Sequence, residues 1–330
     1  MKILVTGCFG FIGYNFINFL KKNGIDHIGV DSLASTSAEK LYKINKDNNF
    51  FKYYDLNIKD LNQKNYLKKQ NISTIVNFAA ETHVDNSISN PESFIDSNIL
   101  GLTKLLRFSV ENNIQNIIHI STDEVYGSLS DGFFEESNML NPSSPYSASK
   151  ASAELICNSF IKTYGLNIKM IRPANNYGAF QQPEKLIPYS VANLIHDKNI
   201  EIYGEGKQIR HWLHVEDTVE AILTVIDKGK ENEIYNVGSG EYLENMEIAK
   251  KLLKILDFEE DRLEKVEDRP GHDFRYAINA GKIQKELNWF PMESFETGIK
   301  KTVEWYLKNE SWWRMIQNKT YKQERLGENI

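Results

Sequence analysis

Short runs rich in apolar and β-branched residues punctuate the first half of the chain: Lys2 to Thr6, His27 to Asp31, Phe50 to Tyr54, Thr74 to Phe78, Asn116 to Ser121 and Asn167 to Arg172. Amphipathic stretches separate most of them, with apolar positions returning every three or four residues. Strands alternating with helices predict a parallel sheet, because a parallel connection needs a crossover and right-handed crossovers put helices on both faces. The expected fold class is α/β, a doubly wound parallel sheet that binds ligands at the carboxyl ends of its strands. After Arg172 the alternation weakens; Pro173, Pro183 and Pro188 interrupt a loop-rich stretch, and one more strand is expected at Ile234 to Val237. Helical patterns at Met246 to Leu256 and Thr297 to Leu307 flank an Arg269-Pro270-Gly271 turn signal. Residues 1–172, with a returning segment near 209–238, should form the sheet domain, and 173–330 mainly a smaller, loop-rich α/β domain for substrate. The last ten residues are expected to fray or drape over the surface.

Composition narrows the class of partner. A chain of 330 residues is enough for about two domains with a substantial core. Its 39 Lys and Arg against 45 Asp and Glu leave a net charge of −6, without long single-sign blocks, which excludes a dedicated nucleic-acid surface. Any anionic ligand must be met by local groups. Two cysteines, Cys8 and Cys157, are too few for a disulfide framework or a cysteine-based zinc site. No apolar run approaches the roughly 20 residues that span a bilayer, and the chain starts on Met-Lys-Ile-Leu-Val-Thr-Gly without a secretory signal. The expectation is a cytoplasmic protein with no membrane partner.

Candidate chemistry gathers at the predicted strand ends. Gly7-Cys8-Phe9-Gly10-Phe11-Ile12-Gly13 follows the first strand and opens a helix. Gly7 permits the tight turn, Gly10 lets backbone approach a pyrophosphate, and Gly13 lets helix pack on strand, while the helix N-terminus supplies positive potential. Asp31 ends the second strand, where a carboxylate accepts hydrogen bonds from adenosine ribose hydroxyls and repels a 2′-phosphate. That combination points to a Rossmann-type sheet binding NAD rather than NADP; the alternative for Asp31 is a turn cap with Ser32. Asp55, after the third strand, is within reach of the adenine or is an ordinary loop carboxylate. Tyr146 and Lys150 in Tyr-Ser-Ala-Ser-Lys lie one helical turn apart on one face. A phenol with a pKa of about 10 needs a neighbouring cation to act as a base near neutrality, and Lys150 supplies one while also binding the nicotinamide ribose.

These features resemble the extended short-chain dehydrogenase/reductase superfamily, and longer motifs resemble the dTDP-glucose 4,6-dehydratase family. They are Ser121 to Gly127 (STDEVYG), Arg172 to Gly178 (RPANNYG), Pro183 to Pro188 (PEKLIP), Tyr203 to Arg210 (YGEGKQIR), Asp268 to Ala277 (DRPGHDFRYA) and the closing Glu324 to Gly327. They span nearly the whole chain in the family's order. The resemblance implies a lyase that oxidises C4 of a nucleotide-diphosphate sugar, eliminates water across C5 and C6, and returns the hydride to C6, leaving a 4-keto-6-deoxy sugar and regenerated NAD.

The same resemblance distributes the roles. Tyr146, helped by Lys150 and Thr122, takes the proton of the 4-hydroxyl; Glu124 is the base at C5; protonated Asp123 is the acid at the 6-hydroxyl. Gly7, Gly10, Phe11, Ile12, Gly13, Asp31, Asp55, Ala79, Tyr146 and Lys150 would hold the cofactor. Thr122, Asn175, Lys185, Arg210 and Arg269 would meet the nucleotide sugar. His83 and His272 either line the sugar pocket or are structural histidines. No metal is expected, because neither histidine has a partner set. Departures from the family pattern at Cys8, Asn86, Gln182 and His211 leave the catalytic set complete and bear on the nucleotide base or the C2 substituent. The first substrate is dTDP-glucose, with UDP-, GDP- or N-acetylated donors open; a sugar-nucleotide epimerase and a noncatalytic NAD sensor are the rival functions. By resemblance the protein is a homodimer through stretches near Pro91 to Asn112 and Ser147 to Tyr164, whose apolar residues equally suit an intramolecular core.

Overall fold

The computed structural model describes residues 1–268 and 273–320. Arg269, His272 and the closing Glu324 to Gly327 therefore lie outside the described residues. The strands in chain order are β1 (Ile3–Thr6), β2 (His27–Asp31), β3 (Tyr53–Asp55), β4 (Thr74–Asn77), β5 (Asn116–Ile120), β6 (Asn167–Pro173), β7 (Asn175–Tyr177), β8 (Ile200–Tyr203), β9 (Ile209–His214), β10 (Ile234–Val237), β11 (Tyr242–Glu244) and β12 (Leu263–Val266). Seven of them form one parallel sheet in the order β3-β2-β1-β4-β5-β6-β10. The order reverses at β1, which opens a crevice at the carboxyl edge between β1 and β4.

Successive strand residues face opposite sides of the sheet, and both sides are covered. Leu4, Ile75, Ile117 and Ile168 pack with Leu105 and Leu106 of the helix Leu102–Glu111 and Ala153 and Cys157 of the helix Pro145–Tyr164. Val5, Val76, Ile118 and Ile171 pack instead with Phe16 and Leu20 of the helix Phe11–Lys22 and Ile222 of the helix Val215–Lys228. The expected α/β doubly wound class is what the chain forms.

Two departures from the pattern have local causes. The third strand starts at Tyr53 rather than Phe50, because Asn49 ends the preceding helix at φ +45° and Asn45 then takes up the next backbone N–H groups, Phe50 on its carbonyl and Phe51 on its side chain. The sequence after Arg172 also holds two further small sheets, β11-β9-β7 and β12-β8, built from strands of three to six residues. Most are too short to show a two-residue period. β10 returns to the edge of the large sheet beside β6, while β9 belongs to the small one.

The glycine loop depends on close packing. Gly7 sits at φ +67°, and a Cβ there would lie 2.7 Å from the backbone nitrogen of Ala79, at the end of β4. A Cβ on Gly13 would lie 2.2 Å from the Gly7 carbonyl oxygen, so only glycine lets this helix touch the loop. Gly13→Ala is expected to destabilise the protein by about 1–3 kcal/mol through overpacking, read as a lower melting temperature.

Candidate active site

The glycine loop, Asp31 and the Thr122 to Glu124 turn stand at the carboxyl ends of β1, β2 and β5 of the large sheet. The loop Gly7 to Gly10 is closed by Gly10 donating to the Gly7 carbonyl at 3.0 Å, and Gly10 caps the helix Phe11–Lys22 without a side chain. Backbone N–H groups at Phe11, Ile12 and Gly13 thus begin a helix whose first turn carries no acidic residue. Asp31 Oδ2 accepts from Phe9 N at 2.9 Å and Oδ1 from Leu33 N at 3.0 Å. The carboxylate holds the glycine loop and its own turn, and each oxygen retains a second lone pair for a ligand. Burial pushes its pKa up, against the pull of the Phe9 and Leu33 N–H groups. Exposed Asp55 is its register partner on β3 and adds to the rise. A glycine cradle that any Cβ would fill, an uncapped helix N-terminus and a carboxylate beside it fit a dinucleotide.

The helix Pro145–Tyr164 is started by a reciprocal Ser144–Ser147 capping box and Pro145 at its first turn, and it is ended by Gly165 at φ +67°. This fixes Tyr146 and Lys150 on its buried side. Lys150 Nζ donates to the Ile120 carbonyl at 2.6 Å. Burial lowers its pKa to about 8, opposed by the charge of Glu154 one turn further on. Tyr146 N donates to Ser87 Oγ at 3.1 Å. Its phenol is pushed up by burial and by Glu124, while the hydrogen bond with Thr122 pulls it down. The hydrogen bond with Thr122 is what eases its ionisation here.

β5 ends in an irregular turn that answers how adjacent carboxyl groups share a site. Thr122 is extended and caps a 3-10 turn, Asp123–Tyr126, its Oγ1 accepting from Glu124 N at 3.3 Å. Asp123 is 2% exposed, hydrogen-bonded to Thr122 at 3.4 Å, and its Oδ2 is buried with no protein partner. Burial and then the Glu124 charge raise its pKa to about 8, with Arg210 opposing them. At neutral pH Asp123 is protonated beside a second carboxyl group, a division suited to acid and base.

Arg210 on β9 donates to the carbonyls of Asp273 at 2.9 Å and Phe274 at 3.4 Å and stacks on Tyr276, 4.4 Å from the ring centre. Asn175 on β7 keeps a buried Oδ1 with no protein partner. Lys185 caps the helix Leu186–Ile195 through its backbone, its carbonyl accepting from Tyr189 N at 2.8 Å. His83 precedes the short helix Val84–Ser89, whose Ser87 holds Tyr146. Among the described residues no group of three or more His, Cys, Asp and Glu is placed to hold a metal ion.

Sequence reasoning missed several residues. Tyr242 and Tyr276 lie within electrostatic reach of Asp123 and Glu124, respectively. Buried Asn98 sits in a π-helical segment, Ile95–Gly101. It accepts from Glu81 N at 2.8 Å and donates to the Glu81 carbonyl at 3.0 Å and to Ser149 Oγ at 2.9 Å. It ties the loop after β4 to the helix of Tyr146. A polar residue inside an otherwise amphipathic stretch was the only available signal, and π-bulges of this kind often mark functional sites.

Fold and site together define an oxidoreductase-derived sheet enzyme of the extended short-chain dehydrogenase/reductase type. The family model for GDP-mannose 4,6 dehydratase matches residues 4–302. A dTDP-glucose 4,6-dehydratase of Neisseria meningitidis is 39% identical, with 99% of each chain covered, and one of Escherichia coli is 40% identical with the same coverage. Among solved structures, the dTDP-glucose 4,6-dehydratase of Streptomyces venezuelae, crystallised with NAD, superposes with a TM-score of 0.89 at 38% identity over 96% of this chain and 100% of that one. A UDP-glucose 4-epimerase of Thermotoga maritima gives 0.87 at 29% identity, over 94% of this chain and 100% of that one. The chain belongs to the dTDP-glucose 4,6-dehydratase family.

The buried Asp123 has a consequence for stability. A carboxyl group whose pKa rises from 3.8 to about 8 on folding favours the folded state fully below pH 4 and loses that contribution as pH climbs to about 8. Asp123→Asn is neutral throughout. The variant should match wild type in thermal stability near pH 4 and exceed it by a growing margin as the pH rises to about 8.

Proposed function

We propose that this chain converts dTDP-glucose to its 4-keto-6-deoxy form, and the observation that carries the reading is the buried Asp123, its Oδ2 without a protein partner, next to Glu124 on the turn that Thr122 caps. Gly7, Gly10, Phe11, Ile12, Gly13, Asp31, Asp55 and Ala79 would hold NAD, which would supply the hydride acceptor for C4 and the hydride donor for C6. Tyr146 removes the proton of the 4-hydroxyl, assisted by its bond with Thr122 and by the ammonium of Lys150. The resulting 4-ketone acidifies C5–H, and Glu124 takes that proton. Asp123 gives its proton to the 6-hydroxyl, which leaves as water. Asn175, Lys185, Arg210, Arg269, His83 and His272 are assigned to the nucleotide sugar; the open acceptor of Asn175 and the cationic charge of Arg210 near Asp123 support this for those two.

The epimerase reading is favoured by the Thermotoga neighbour and opposed by the paired carboxyl groups, for which C4 inversion has no use. We also infer a homodimer. Ile95, Leu100, Leu155 and Tyr164 are 44–63% exposed on the two segments expected to pair, apolar surface that a partner helix pair would bury. Among the described residues no helix is long and apolar enough to cross a membrane. Two free, buried cysteines support a reducing compartment, the cytoplasm.

Mass spectrometry of the protein with dTDP-glucose should show loss of one water without net NAD consumption, with solvent deuterium entering C5. Asp123→Asn and Glu124→Gln should each slow water loss by about 100-fold or more. Water loss at the wild-type rate in either variant would remove that residue from the mechanism, and C4 inversion without exchange at C5 would establish the epimerase instead. Leu155→Glu should turn a dimer into a monomer by light scattering after size exclusion; an unchanged mass would place the interface elsewhere.

A further inference from the structure

The turn that carries both carboxyl groups is anchored at its far end by a buried polar network with no part in the steps above. Tyr126 is fully buried at the end of the 3-10 turn, stacked on Phe134 with ring centres 4.9 Å apart. Its hydroxyl accepts from Arg172 Nη1 at 2.5 Å and donates to Asn236 Oδ1 at 2.8 Å. Burial raises the phenol's pKa to about 12, which keeps that donated proton in place. Arg172, on β6, uses its other face for a two-point pair with Glu154: Nε to Oε1 at 2.9 Å and Nη2 to Oε2 at 2.5 Å. Glu154 lies on the helix of Tyr146 and Lys150. Asn236, on β10, is held in turn by the carboxylate of Glu136 and by the carbonyls of Phe134 and Asn279. One guanidinium therefore touches both the oxidising helix and the acid–base turn; the Tyr126 hydroxyl is its hydrogen bond to the turn, beside a stacking contact 4.6 Å from the Tyr126 ring centre.

In a 3-10 turn residues i and i+3 eclipse, so Tyr126 stands in line with Asp123 while Glu124 projects elsewhere. We propose that the Tyr126 hydroxyl, held between Arg172 and Asn236, is a positioning group that sets the rotation of this turn and so serves the elimination of water, not the oxidation at C4. The inference rests on the dehydratase reading above. The backbone of the turn has its own tether, Asn141 N donating to the Val125 carbonyl at 3.0 Å, so losing the hydroxyl loosens the turn without releasing the loop. The Glu154–Arg172 pair survives that loss, so Tyr146 keeps its place.

Tyr126→Phe tests this in two measurements. Hydrogen exchange on the protein without substrate should show peptides spanning 121–127 exchanging at least about 5-fold faster, with peptides from 145–164 unchanged; Arg172→Lys, which disturbs both contacts, should speed both. In stopped-flow with dTDP-glucose, the first rise in reduced-nicotinamide absorbance should persist in Tyr126→Phe while water loss slows by about 10- to 100-fold, so reduced cofactor accumulates. Equal slowing of both steps, no slowing of either, or unchanged exchange at 121–127 would overturn the proposal. Should wild type leave dTDP-glucose intact, the dehydratase reading fails, and the exchange measurement still decides whether the hydroxyl holds the turn.

Discussion

The hydrogen bond from the Lys150 ammonium to the Ile120 carbonyl fixes the geometry on which the site depends. A buried cation must be paired or hydrogen-bonded, because desolvation otherwise costs several kcal/mol. Lys150 meets that demand at the last residue of β5, which sets the helix Pro145–Tyr164 against the strand in one register. Tyr146, one turn earlier, then falls opposite Thr122, two residues past the strand end. The oxidising phenol and the acid–base turn are placed relative to one another by a single strand-to-helix contact.

Low dielectric around that contact explains the electrostatics. Asp123 keeps its proton because its carboxyl is buried and faces Glu124; Lys150 holds an only moderately lowered pKa because Glu154 lies one turn away. Glu154 is itself matched by Arg172, whose remaining donors secure Tyr126. Charge in this interior is passed along a line of paired groups, each of which would be costly to bury alone. The result is a buried carboxyl group with a raised pKa beside a second carboxyl group, a setting that full solvent exposure would not sustain.

The sheet itself performs a simpler service. Its strand order reverses at β1, and the loops after β1, β2 and β4 meet there as Gly7, Asp31 and Ala79. Asp31 does double duty. The turn-capping alternative and the ligand-binding role are compatible, since its oxygens accept from Phe9 and Leu33 and still have lone pairs to offer. Cys8, where the pattern more often has glycine, is accommodated because Gly29 lacks a side chain: a Cβ on Gly29 would stand 2.6 Å from the Cys8 sulfur.

By itself the sequence determined the strand alternation of residues 1–172, the glycine turn, the spacing of Tyr146 and Lys150, and the adjacency of Asp123 and Glu124, because period, spacing and glycine chemistry are local properties that a short window carries. Only the tertiary structure supplied the physical reason for a proton on Asp123, since its raised pKa follows from burial and the charge of Glu124, against Arg210, brought in by a strand more than eighty residues away. It likewise decided that Lys150 addresses a backbone carbonyl, that Asn98 joins the loop after β4 to the helix of Tyr146, and that the strands after Arg172, too short to carry a readable period, pair into small sheets. Those outcomes depend on long-range contacts and on the removal of water, which no local pattern of residues records.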